Sequence, residues 1–376
     1  MLIKYLNPSY QSNSFSHRFG HRVFQLWVAI ALIITIFITI SPQPVEAKLP
    51  ANSAIKDSRI LLRNALPIKN ELIREVQTTL EAQPRQANLK RWNSIAKDLK
   101  RVKTILAQDQ QKLLANVTDQ AAGLENLKKL NDALTPLEEA ITNKERNKVK
   151  PLVEQALEYV GNLEALMVTQ FPFTVPEAYA HLPQLKGRAT VELETSKGTI
   201  TIVLDGYNAP VNAGQFADLV QRGFYDGLSF NRADDDYFLQ AGDPPGAADG
   251  FIDPNTGKVR TVPMEVKIPD KEVPFYGFTL SDLGLARTLP VLPFSAFGTI
   301  AMAHPAEDVN GGSSQFFLYL FESDLTPAGL NLIDGNYAAF GYLKDGTEVL
   351  RKLKLGDKII SAKIIEGAEN LVQPAA

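Results

Sequence analysis

The chain contains no cysteine at all, so no part of its fold rests on disulfides and no thiolate chemistry is open to it. Histidine is nearly as scarce, with four in 376 residues. These form no cluster that suggests zinc, and no Ser-His-Asp or Cys-His arrangement is suggested either. An excess of one charge sign is also lacking: the net charge of −3 argues against a nucleic-acid binder. Asp249–Gly257 looks superficially like a calcium loop. It lacks the alternating ligands and terminal bidentate Glu such loops use, so a hairpin turn is the better reading. No metal and no cofactor is expected.

One long hydrophobic run is present, Val23 to Ile40, with Lys4, Arg18 and Arg22 before it and Ser41-Pro42-Gln43-Pro44-Val45-Glu46-Ala47 after it. Residues 1–47 therefore read as an export signal with a small-x-small cleavage site at Ala47. The run is also long enough to cross a bilayer as an uncleaved anchor. Either way the folded part lies outside the cytoplasm. With no cysteine, that suits a bacterial periplasm or a thylakoid lumen, membrane-attached if the segment is retained. Membrane association is expected only through this N-terminal segment or through a membrane complex.

The length calls for two folded units plus a leader. Their charges differ in sign: residues 48–170 carry roughly plus five and residues 171–376 roughly minus ten. That asymmetry favours docking between the two halves, or opposite faces offered to different partners.

Residues 48–170 have little glycine, and apolar residues recur at helical spacing. Leu61, Leu62, Leu66, Leu72, Ile73, Val76 and Leu80 make a first stripe, interrupted at Pro67. Leu89 to Leu113 make a second after Gln83-Pro84, Leu124 to Ile141 a third, and Val149 to Leu166 a fourth starting near Pro151. Four amphipathic helices with short connections predict an all-α up-and-down bundle. The cations Lys90, Arg91, Lys97, Lys100, Arg101 and Lys103 read as a solvated face or a basic docking face. Residues 171–188, with Phe171-Pro172-Phe173-Thr174-Val175-Pro176, break the helical pattern and form a linker whose aromatics pack against something.

From 189 to 376 the period changes to two. Ala189–Thr195 and Thr199–Leu204 flank a Ser-Lys-Gly turn as a hairpin, and a helix follows from Ala213 to Arg222. Further strands are predicted at Leu228–Arg232, Tyr237–Ala241, Gly298–Ala303, Gln315–Leu320, Ala338–Leu343 and Lys358–Ile365. A short helix over Gly346–Leu353 precedes the last. Many short strands with two capping helices predict a closed β-barrel.

Five landmarks occur in order: Lys197-Gly198-x-Ile200; Asn208-Ala209-Pro210 leading to Phe216; Gly223-Phe224-Tyr225-Asp226-Gly227; Phe230-Asn231-Arg232 ending in Gln240-Ala241-Gly242-Asp243; and Met302-Ala303 with Ser314-Gln315-Phe316-Phe317. Together they resemble the cyclophilin family of peptidyl-prolyl isomerases. With the export signal and helical bundle, the chain is similar to the multidomain thylakoid-lumen cyclophilins of chloroplasts and cyanobacteria, whose helical domain is likened to a small photosystem II extrinsic subunit. The resemblance implies that Arg232 is the catalytic arginine and Gln240 the glutamine that orients it. It implies that Tyr237, Phe238, Phe317 and Ile333 are the walls of the proline pocket, that Ala303, His304 and Gln315 line the substrate groove, and that Leu332 and Tyr337 also belong to the substrate-binding residues.

The chain departs from the family pattern at several points. Asn231 stands in place of a histidine, Phe238 of a methionine, Leu332 of a tryptophan and Tyr337 of a histidine, while Asp234-Asp235-Asp236 replaces an apolar-Pro-Gly stretch. Those carboxylates either pair with Arg232 or form an exposed acidic turn. The connection between Asp243 and Phe297 is longer than usual and rich in aromatics and proline. It is expected to touch the helical domain or lie beside the groove. The function implied is an exported folding or assembly factor with weak prolyl isomerase activity. It would act on proline-containing or extended polypeptides, photosystem II subunits among them, with contact between the helical domain and the barrel. The alternative is a non-catalytic, autoinhibited chaperone.

Overall fold

The computed structural model describes residues 55–234, 237–321 and 331–374. The expected export signal over 1–47, and Asp235 and Asp236 of the acidic run, lie outside the described residues. Helices come first: α1 (Ser58–Asn64), α2 (Glu71–Asn88), α3 (Trp92–Gln108), α4 (Gln110–Leu114), α5 (Gln120–Thr142) and α6 (Arg146–Leu166). The four long ones form a ring, α2 on α3, α3 on α5, α5 on α6 and α6 on α2. That is the arrangement short connections impose on amphipathic helices. Their stripes meet inside it through Ile73, Val76, Leu80, Ile95, Leu99, Leu130, Leu134, Val153 and Val160. Asn70 and Asp119 cap α2 and α5 by accepting from the Ile73 and Ala122 amides at 3.3 and 3.0 Å. At the opposite ends, Lys90 and Lys144 take left-handed φ values of 56° and 57°. Arg91 donates back to the Gln86 carbonyl and Glu145 to that of Ala140, the closing bonds of a Schellman turn.

Two expectations about the helices change. α2 runs through Pro84 to Asn88, and Pro151 lies inside α6 rather than at its start. Burial of Leu80, Gln83 and Ala87 around Pro84 outweighs the one amide bond that proline removes. Leu61 and Leu62, read as the start of the bundle's first stripe, are buried with Ala65 in the core of the sheet that follows. The break at Pro67 separates α1 from α2, so its apolar face is free to turn elsewhere.

The last carbonyls of a helix have no partner within it, and those of α1 are claimed from two sides. Arg188 donates to Leu62 O, and Asn208 Nδ2 donates to Ala65 O at 2.9 Å. From α2, Arg74 donates to Arg63 O and Leu66 O, each at 2.8 Å. Arg74 also reaches Gln77 and, at 3.2 Å, the Glu164 carboxylate of α6. Glu164 is wholly buried. Burial pushes its carboxyl up to about 7 against the pull of Arg74, and lowers the Arg74 guanidinium in turn.

The second half comprises β1 (Gln184–Leu185), β2 (Arg188–Thr195), β3 (Gly198–Asp205), α7 (Pro210–Gln221), β4 (Arg232–Asp234), β5 (Phe238–Ala241), β6 (Glu265–Val266), β7 (Phe275–Tyr276), β8 (Thr299–Met302), β9 (Phe316–Tyr319), β10 (Ala339–Asp345), α8 (Thr347–Leu350), β11 (Ile359–Glu366) and β12 (Leu371–Val372). Eight strands form one antiparallel sheet in the order β11-β2-β3-β10-β8-β9-β5-β4, curled about Phe216, Tyr225, Phe230, Phe316 and Phe340. Its two end strands do not pair with each other, so the expected closed ladder is not continuous. The strand read at Leu228–Arg232 divides its bonds between two partners. Gly227 and Phe230 donate to Ile359 and Asp357, with one bridge at Ser229–Lys358, whereas β4 proper begins only at Arg232.

The linker packs on this half. Tyr179 stacks on Tyr276 at 5.2 Å, and Lys267 lies 5.2 Å over the Phe173 ring. The long connection is ordered in pieces. Asp249–Gly257 leads into a hairpin turn closed by the Ile252–Val259 bridge, β6 pairs with β7, and Ser295 donates to Ile55 O at 2.6 Å. Buried Glu265 accepts from the Val211 and Asn212 amides at 3.1 and 2.8 Å, filling the N-terminus of α7.

Candidate functional site

Strand register assembles one wall of the site. Arg232 on β4 faces Gln240 on β5, Gln240 faces Phe317 on β9, and Phe317 faces Ala301 on β8. Residues directly opposite in an antiparallel ladder share a face. A cation, an amide and an aromatic ring therefore stand in a row. The turn that allows β5 to leave the sheet uses Gly242 at φ 99°, where a Cβ would collide with the Ser314 carbonyl oxygen.

Nine of the residues that the sequence points to surround one open pocket of about 100 Å³: Arg232, Tyr237, Phe238, Gln240, Ala303, His304, Phe317, Ile333 and Tyr337. Arg232 is exposed at its mouth, with its guanidinium 5.2 Å over the Phe238 ring. Among the described residues it forms no ion pair, and Asp234 beside it stays exposed. Gln315 does not line this pocket but bonds to the Gln240 side chain that does. It accepts from Gln240 Nε2 at 2.6 Å and donates to Asp249 O at 3.0 Å. Asn231 donates to Asp243 at 3.2 Å, tying the strand before Arg232 to the Gly-Asp turn.

The opposite wall is a turn. Asp334 is buried, and its carboxylate accepts from the Phe294 amide at 2.7 Å and the Asn331 amide at 3.0 Å. Burial raises this carboxyl above its usual range, against those two bonds. Asn331 Oδ1 accepts from Ile333 N at 3.3 Å. Folding the chain this way turns Ile333 into the pocket and Leu332 out of it. Leu332 is 90% exposed and lies outside this pocket. Tyr337 stacks on His304 at 4.6 Å and meets Phe317 edge-on at 5.2 Å. The two ring nitrogens of His304 lie 2.8 Å from Pro305 O and 3.1 Å from Asn336 O, which fixes the imidazole on this wall.

Sequence reasoning missed what holds that turn. Phe294, fully buried, stacks flat on Phe317 at 5.9 Å, and Leu280 donates to Gly335 O at 2.9 Å. Gly335 has φ 73°, and a Cβ there would lie 2.5 Å from the Leu280 side chain. The long connection thus lies beside the pocket and fixes one of its walls. Only Asn331-x-x-Asp334-Gly335 carried a local signal, that of a side-chain-capped turn. Phe294 carried none, because its partners are far along the chain.

Both halves of the chain resemble known proteins. Residues 190–367 match the model of the cyclophilin type peptidyl-prolyl cis-trans isomerases, and residues 57–168 match that of the CYP38-like, PsbQ-like domain. A Synechocystis protein assigned as a thylakoid lumen peptidyl-prolyl cis-trans isomerase is 50% identical over 326 residues, covering 86% of each chain. The chloroplastic peptidyl-prolyl cis-trans isomerase CYP38 of Arabidopsis thaliana is 43% identical over 334 residues, 85% of this chain and 76% of that one. The chloroplastic CYP37 of the same plant is 30% identical over 379 residues, 93% of this chain and 78% of that one. The chain belongs to the cyclophilin-type peptidyl-prolyl cis-trans isomerases.

Proposed function

We propose that the pocket binds an extended, proline-containing polypeptide and isomerises its X–Pro bond, and that the protein works in the thylakoid lumen on the folding or assembly of lumenal and membrane proteins, photosystem II subunits among them. The location is supported by the relatives named as lumenal or chloroplastic, and the client class by the helical region's match to a PsbQ-like domain.

The observation that carries the reading is an exposed guanidinium over an aromatic ring at the mouth of a pocket rich in aromatic side chains, in strand register with an amide. The barrier to prolyl rotation, about 18–20 kcal/mol, comes from conjugation of the nitrogen lone pair with the carbonyl. Phe238, Phe317, Ile333 and Tyr337 offer the ring an apolar seat, and Arg232 a rigid donor. A donor aimed at the prolyl nitrogen takes up its lone pair as the bond twists, an interaction stronger in the twisted state than in either planar one. Gln240, opposite Arg232 in the ladder, would hold the substrate carbonyl. No nucleophile enters this chemistry.

The test is prolyl isomerisation of a proline peptide by the full chain and by Arg232→Ala. Loss of one preorganised donor is expected to lower kcat/KM about 100-fold or more. Equal rates for the two proteins would overturn the reading.

A further inference from the structure

Large apolar side chains left in water beside a binding pocket mark a surface that something covers. Among the described residues beside the turn wall there are three. Leu332 is 90% exposed, Phe278 56% and Leu283 37%. Their backbones belong to one small structure. Leu280 donates to Gly335 O, Ser281 Oγ donates to Asn336 Oδ1 at 2.9 Å, and Asn336 Nδ2 donates to Leu332 O at 3.0 Å. Thr279 and Asp282 lock the 278–283 turn internally, with bonds of 2.7 and 3.0 Å. The ledge is therefore held in place rather than free to fold its apolar groups away. Its other side is the pocket wall itself, through Ile333 and Tyr337.

We propose that Phe278, Leu283 and Leu332 form an apolar ledge continuous with the proline pocket, which takes large apolar side chains of the same extended polypeptide on one side of its proline. This rests on the reading of the pocket as a proline site and narrows its substrates to prolines flanked by Leu, Ile, Phe or Val. Such residues are buried in folded or membrane-inserted proteins, so the ledge selects chains that are not yet folded. The occupant is argued from continuity: a peptide running out of the pocket past Ile333 meets the ledge next.

Two labelled decapeptides with one proline each, differing only in having Leu-Phe or Ser-Ser beside it, are titrated by fluorescence anisotropy against the full chain and against Phe278→Ser/Leu283→Ser and Leu332→Ser. All three positions are on the surface, and circular dichroism checks that each variant is folded. The wild type is expected to bind the Leu-Phe peptide about tenfold more tightly, the gain from partly burying two apolar side chains. In the double variant that ratio falls to about one, and Leu332→Ser reduces it in part. A ratio that survives in the double variant overturns the ledge. So does equal binding of both peptides by the wild type, or a change in sedimentation that shows the ledge instead joins two copies of the chain. If the wild type binds neither peptide, the proline reading of the pocket fails and the ledge with it. Isomerisation that is lost for both peptides in Arg232→Ala with their binding kept, while the double variant equalises their binding, supports the two readings separately.

Discussion

The two walls of the pocket are built in different ways. The strand wall, Arg232, Gln240 and Phe317, is set by ladder register, and a register slip would turn every side chain on it to the other face. The turn wall, Ile333 and Tyr337, has no ladder of its own. It is held by one buried carboxylate, Asp334, and by a packed ring, Phe294, both of which depend on the long connection. In the function proposed above, chemistry falls to the first wall and selection to the second. A wall fixed by backbone pairing tolerates drift elsewhere in the chain, whereas a wall held by a few long-range contacts is where a family member can change what it accepts.

The largest expected effect comes from removing the anchor of the turn wall. Asp334→Ala leaves the amides of Phe294 and Asn331 buried without acceptors, a loss of about 3 kcal/mol. Thermal melts read it. If stability is unchanged, the turn wall does not depend on Asp334. Next, a change remote from both walls shows whether they depend on the joint at α1. Folding raises the carboxyl of Glu164 from its usual 4.5 to about 7, so the folded chain holds this proton more tightly than the unfolded one. Its contribution is fully present below about pH 4.5 and is lost as the pH rises through 7. Glu164→Gln is expected to flatten that slope and to stabilise the protein at pH 8 by about 2 kcal/mol, leaving peptide binding as it was. Melts at pH 5 and pH 8, with peptide titrations alongside, check both parts.

Phe294→Leu is expected to cost about 1 kcal/mol in stability, as the stack on Phe317 is replaced by a smaller apolar group. It should also loosen peptide binding several-fold, which a titration measures. The smallest effect is a gain. Lys90→Gly or Lys144→Gly relieves a left-handed backbone at a helix end far from the pocket, for about 0.5–1 kcal/mol each by chemical denaturation. Neither should alter binding, and a change in affinity would show that the bundle reaches the pocket.

The two walls also differ in how far they could be read from sequence. The strand wall was legible because its residues fall in short, ordered patterns such as Gln315-Phe316-Phe317 and Gln240-Ala241-Gly242-Asp243 that resemble those of the cyclophilins, whereas the pairing that puts them on one face is set by the ladder. On the turn wall the pocket takes in Ile333 and Tyr337 and leaves Leu332 outside, since nothing in Leu332-Ile333 says which of the two faces inward. That choice is made by Asp334 and Asn331 bonding across the turn. The four bundle helices followed from their stripes. The role of α1 did not, because Leu61 and Leu62 keep the bundle's spacing while packing against the sheet. Helical period reports which face is buried but not what buries it. The ring of the sheet was anticipated as closed, and the division of residues 227–234 between two partners has no sequence signature.

The most direct test of the division between the walls is steady-state kinetics of prolyl isomerisation for Arg232→Ala and Phe294→Leu beside the wild type. Arg232→Ala is predicted to lower kcat about 100-fold or more with little change in KM, and Phe294→Leu to raise KM several-fold with kcat nearly preserved. If both variants change kcat and KM in the same proportion, the two walls do not divide chemistry from selection and the account is wrong.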